Sequence, residues 1–94
     1  MPKAYVLITE AIHDEEGMKA YGAQAAKAMG GAQVLAVDAA PQVLEGAPSP
    51  GRAVLLEFES AEAAQAWYTS PEYQAAIPLR QAAADSTGVL IHGF

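Results

Sequence analysis

Cysteine is absent from this chain. That excludes a disulfide scaffold, thiol catalysis and any cysteine metal site. Positive charge is scarce as well: 5 Lys and Arg stand against 11 Asp and Glu, a formal net charge of −6. Lys3, Lys19, Lys27, Arg52 and Arg80 are scattered, so no basic patch forms. Nucleic acid and anionic membrane surfaces are therefore electrostatically disfavoured partners. Long apolar runs are missing, which excludes a membrane-spanning helix. The N-terminus lacks the apolar segment of a secretory signal, and a cytoplasmic location is expected. The sequence has no P-loop, no Gly-rich dinucleotide turn and no Ser-His-Asp arrangement. Ser60, Ser70 and Ser86 sit where caps and turns want hydroxyls. Phosphate transfer and serine hydrolysis have no support.

What is there is one domain's worth of chain, 94 residues with 52% hydrophobic content, much of it alanine. A chain of this size buries roughly two-thirds of its unfolded surface. Lys3 to Glu10 reads as a first strand, rich in Tyr, Val, Ile and Thr. Asp14 caps a helix whose first turn holds Glu15 and Glu16. Met18, Tyr21, Ala25 and Met29 give that helix one apolar stripe, and Gly30-Gly31 stops it. Ala32 to Val37 is a second strand, with a resumption at Gln42 to Glu45 past a bulge. Gly46 to Gly51 is a loop by composition. Arg52 to Glu59 is a third strand and Thr87 to His92 a fourth.

Ser60 to Arg80 is the stretch the rest is organised around. Ser60 caps a short helix over Ala61 to Tyr68, and Ser70-Pro71-Glu72 starts another. Two starts ten residues apart predict a broken helix with Trp67, Tyr68 and Tyr73 at the break. Helical spacing forbids Trp67 and Tyr68 both pointing inward, so one is core and the other rim. Pro78 is expected to break the helix again after Ile77.

The order β-α-β-β-α-β predicts an α+β, ferredoxin-like sandwich: a four-stranded antiparallel-type sheet with helices on one face. The first and third strands are expected as parallel central neighbours, with the second and fourth at the edges. A sheet with one wet face alternates apolar and polar residues. Val6-Leu7-Ile8, Val54-Leu55-Leu56 and Val89-Leu90-Ile91 do not. The helices cover one face only, so a second copy, sheet against sheet, is the expected partner.

With these residues placed, the chain resembles the domain-of-unknown-function family 1330 of the dimeric α/β-barrel superfamily. Ala4-Tyr5-Val6, Asp14, Tyr21, Gly30-Gly31, Leu44-Glu45-Gly46, Arg52 and Glu57-Phe58 carry the resemblance. So do Ala66-Trp67-Tyr68, Ser70-Pro71-Glu72-Tyr73-Gln74 and Leu79-Arg80. It runs nearly end to end. Ala47-Pro48-Ser49-Pro50 departs from it, since the family often has an aromatic or bulky residue there. The resemblance implies a ferredoxin-like dimeric α/β barrel and no particular activity. Superfamily relatives include cofactor-free oxygenases, isomerases, haem enzymes and stress-induced proteins, so fold alone names no reaction.

Candidate chemistry is sparse. With the central strands parallel, Glu10 and Glu57 would share one end beside His13, a carboxylate–imidazole cluster suited to general-base work. Glu57, Glu10 and His13 are therefore the candidate catalytic residues, against the plainer reading that Glu10 is solvated and Glu57 pairs with an arginine. Tyr5, Trp67, Tyr68 and Arg80 are the candidate ligand contacts. Arg52 and Arg80 are each able to hold an anion bidentately, although tying the fold together is the plainer role. His13 and His92 fall roughly 20 Å or more apart at about 3.3 Å per strand residue, so no metal site and no cofactor is expected. The leading expectation is a homodimeric module binding a small apolar ligand between sheet and partner. The alternative is a cofactor-independent enzyme, monooxygenase- or isomerase-like, on a hydrophobic aromatic or polyketide-like substrate.

Overall fold

Burial alternates along the first strand: Ala4, Val6, Ile8 and Glu10 are buried, while Tyr5, Leu7 and Thr9 are only partly covered. One face of the sheet is thus sealed by helices and the other is open. The structure, a computed structural model, describes residues 2–47 and 51–94. Pro48-Ser49-Pro50, which make up three of the four departing residues and half of the composition-predicted loop, lie outside the described residues. In chain order the elements are β1 (Ala4–Ile12), α1 (Glu15–Ala25), a short 3-10 turn (Ala26–Ala28), β2 (Gln33–Asp38), β3 (Arg52–Phe58), α2 (Ala61–Thr69), α3 (Pro71–Ala83) and β4 (Ala84–His92). The strands form one sheet in the order β2-β3-β1-β4. This is the ferredoxin-like arrangement expected from the sequence.

Local chemistry sets the helix starts. The Asp14 carboxylate accepts from the Gly17 amide at 3.1 Å, and the Ser60 hydroxyl accepts from the Ala63 amide at 3.0 Å. Gly51 precedes β3 with φ 101°, and a Cβ there would collide with the Glu10 carbonyl oxygen. Only glycine suits both that conformation and that approach.

Three expectations are corrected. First, β1 and β3 are antiparallel, with Tyr5 opposite Glu57 and Glu10 opposite Arg52. The β1-α1-β2 crossover makes β2 parallel to β1, but β3 lies between them and runs antiparallel to both. The parallel strands are next-nearest neighbours. Second, α3 continues through Pro78 to Ala83. Pro78 and Gln74 are both exposed, so the Gln74 carbonyl that loses its helical donor faces water. Third, β2 does not resume at Gln42 to Glu45, which are irregular. Its pairing with β3 already reaches Asp38 opposite Ala53, one residue from the start of β3.

The core sits between the sheet and the helices. Phe58, Trp67 and Tyr73 form its aromatic centre, with ring centroids 5.2 Å apart for Phe58 and Trp67 and 4.1 Å for Trp67 and Tyr73. On the open face Leu7 stands between Leu55 and Val89, and Tyr5 between Glu57 and Ile91. Val89 and Ile91 are 52% and 44% exposed, an apolar strip with nothing over it.

Candidate functional site

The antiparallel centre separates the expected acid cluster. Glu10 ends up buried at the far end of β1, on the helix side, where Arg52 Nη2 and Nε donate to its Oε1 at 2.8 and 2.9 Å. Glu57 lies opposite Tyr5, five residues back along β1, which is about 16 Å away. It points to the open face, where Lys3 Nζ donates to it at 3.2 Å. His13 is exposed, and its backbone N–H donates to the Ala83 carbonyl at 3.0 Å. Neither Arg80 nor Arg52 meets Glu57; the Lys3 partner went unrecognised because strand direction decides which cation faces it. The Glu57 hydrogen bond and charge raise the Lys3 ammonium above its ordinary value. The Lys3 end of the pair is half-exposed at the start of β1, outside the apolar strip, and a pair in contact with water contributes little. Glu57→Gln should therefore move the thermal midpoint only slightly, at pH 5 and at pH 8 alike. A large loss at pH 8 alone, in parallel melts, would show a buried role for the charge.

The ligand candidates divide differently. Tyr5 lies on the open face, whereas Trp67, Tyr68 and Arg80 converge on a cavity of about 250 Å³ between β4 and the α2–α3 break. Ser70 makes that break. It ends α2, donating from its hydroxyl to the Trp67 carbonyl at 2.8 Å, and caps α3, accepting from the Tyr73 amide at 3.2 Å. The reversal stacks Tyr73 on Trp67 and leaves Tyr68 at the rim, 44% exposed, while Trp67 is 6% exposed.

The opposite wall is open because of Gly88. It pairs with Ile8, on the helix side of β4. A Cβ placed there would meet nothing closer than Ile8 Cγ1 at 3.9 Å. Glycine within a strand weakens it and often marks close approach of a ligand. That signal was present in the run Thr87-Gly88-Val89-Leu90 but was not used.

Electrostatically the cavity is unusual. Arg80 is 7% exposed, and its Nη1 donates to the Tyr73 hydroxyl at 2.7 Å. The Tyr73 and Tyr21 hydroxyls share a hydrogen bond of 2.9 Å. Burial first, then the bond to Tyr21, pushes the Tyr73 phenol well above its ordinary range, so it is neutral. Arg80 thus meets a phenol rather than a carboxylate. Among the described residues no carboxylate lies within 4.0 Å of it. Trp67 Nε1 and Arg80 Nε are buried with no hydrogen-bond partner. No acid or imidazole lines the cavity among the described residues. The arrangement is thus able to hold a flat group and to donate hydrogen bonds, but it contains no carboxylate or imidazole base.

A model of the domain of unknown function DUF1330 matches residues 3–94. The chain belongs to this family. None of the curated proteins matches it. Among solved structures, a protein of unknown function from Rhodopseudomonas palustris is 19% identical with TM-score 0.75, covering 99% of this chain and 83% of that one. A dimeric ferredoxin-like protein of unknown function from Thermobifida fusca is 13% identical with TM-score 0.66, covering 97% and 91%. A cofactor-independent oxygenase from Streptomyces nogalater is 11% identical with TM-score 0.64, covering 97% and 92%. At such identities the likeness establishes the fold and nothing of the chemistry. Among the described residues no helix is long and apolar enough to cross a membrane.

Proposed function

We propose that this DUF1330 chain works as a homodimer, each copy covering the other's open sheet face, and that each protomer holds a small ligand with a flat apolar body. The ligand lies under Trp67 and Tyr68, inside the protomer, rather than between sheet and partner. The dimer is supported by the apolar strip of Leu7, Leu55, Val89 and Ile91, and by Val43 and Leu44, which are 55% and 89% exposed beside it. The T. fusca neighbour, which is dimeric, supports it too.

One observation carries the ligand reading: β4 gives up a side chain at Gly88, opposite Ile8, where the helix-side core has room for one. A cavity of about 150 Å³ lined by apolar groups holds benzene, so 250 Å³ suits a larger, two-ring body. Gly88→Leu should fill the space. Strand glycine is itself unfavourable, so the variant should melt no lower than wild type. Trp67 is the only tryptophan, so its fluorescence reports on this site alone. Quenching of Trp67 by 2-naphthol should saturate in wild type and vanish in Gly88→Leu. Equal binding to both would refute the assignment. A turnover reading, after the S. nogalater oxygenase, has the shared fold behind it, but the cavity's want of an acid or imidazole favours binding.

A further inference from the structure

Among the described residues, the two buried side-chain atoms left without a partner, Trp67 Nε1 and Arg80 Nε, are hydrogen-bond donors, and both belong to residues lining the same cavity. A buried donor without an acceptor is unfavourable, and the Arg80 side chain lines the cavity, so an acceptor there would be favoured. One of the two donors also carries a full positive charge. The other two arginine and lysine side chains that pair across strands find acids: Arg52 finds Glu10 and Lys3 finds Glu57. Arg80, more deeply buried than either, has the neutral Tyr73 phenol and the face of the Tyr21 ring at 5.8 Å, but no acid among the described residues, in a chain with an excess of acids. An isolated buried cation is costly unless an anion joins it.

We infer that the ligand is an acid: a flat, one- or two-ring or conjugated body bearing one anionic oxygen group, which pairs with the Arg80 guanidinium at the cavity wall. This rests on the cavity reading above and adds the substrate class. The guanidinium is held by Tyr73, itself tied to Tyr21, so its orientation is fixed before the ligand arrives. A carboxylate pairs with a guanidinium through charge-assisted hydrogen bonds, and Gly88 leaves room for the ring beside it. Tyr68 at the rim closes over the outer edge.

The test compares 2-naphthoate with its neutral isostere 2-naphthamide, by calorimetry, on the intact protein. Wild type should bind the acid at least tenfold more tightly than the amide. Arg80→Met, which keeps the apolar stem without the charged guanidinium, should erase that preference and bind the two alike. If Arg80→Met does not fold, the wild-type comparison still decides. Equal or tighter binding of the amide by wild type overturns the inference while leaving the cavity reading in place. Binding of neither probe by wild type overturns both.

Discussion

Leu7→Asp should leave the protein monomeric and largely unfolded. Leu7 is at the middle of β1, flanked on the open face by Leu55 and Val89. In a sheet-to-sheet dimer the new carboxylate is buried with no cation beside it. Burying an unpaired charge costs several kcal/mol, about as much as the whole stability of a small domain, which is about 5–15 kcal/mol. Light scattering should show wild type at twice its 9.8 kDa chain mass, and the variant at one chain mass with reduced ellipticity. Leu7→Thr, with strand propensity but no charge, should remain a dimer. A Leu7→Asp protein with wild-type mass and melting midpoint would mean that this face is wet, and that the apolar strip is only a feature of a tolerant strand.

Tyr73→Phe should be the most damaging conservative change inside the protomer. The Tyr73 hydroxyl accepts from Arg80 at 2.7 Å and joins Tyr21 at 2.9 Å. Its removal strands a buried phenol and a buried guanidinium nitrogen, at about 1–3 kcal/mol for each. For a chain of this length that predicts a midpoint at least about 10 °C lower at fixed protein concentration. The deficit should also depend on pH. Burial raises the folded-state value of this phenol above the ordinary 10.0. Its contribution is therefore complete below pH 10 and is lost as the unfolded chain's phenol ionises above it. The gap between wild type and Tyr73→Phe should be constant from pH 6 to pH 9 and narrow under alkali. A gap that widens above pH 10 would show that the phenol ionises readily in the fold.

The fold was legible because its starts and stops are local. Asp14, Ser60 and Ser70 each accept from an amide three residues on, which a sequence displays directly. Helical spacing likewise shows that Trp67 and Tyr68 are divided between core and rim, while the packing against Phe58 and Tyr73 decides that Trp67 is the core residue. Strand direction is not local. The antiparallel centre follows from how a crossover and a return stack between layers, and mistaking it moved Glu57 about 16 Å, to Glu10's end of the sheet. Pro78 misled because helix tolerance depends on whether the freed carbonyl meets water, and here exposed Gln74 supplies it. The Arg80–Tyr73 contact spans seven residues, two turns of α3, and was readable as a same-face pair. Sequence habit looked for a carboxylate instead. Gly88 was passed over because a missing side chain shows its meaning only when the opposite wall is known.

The central claim is a dimer with one acid-binding cavity in each protomer, opened by Gly88. Native mass spectrometry with added 2-naphthoate tests it most directly. Wild type should appear as a dimer carrying one probe per protomer, and Gly88→Leu as the same dimer with none. A monomer, a wild-type dimer that takes up no probe, or equal uptake by Gly88→Leu would contradict it.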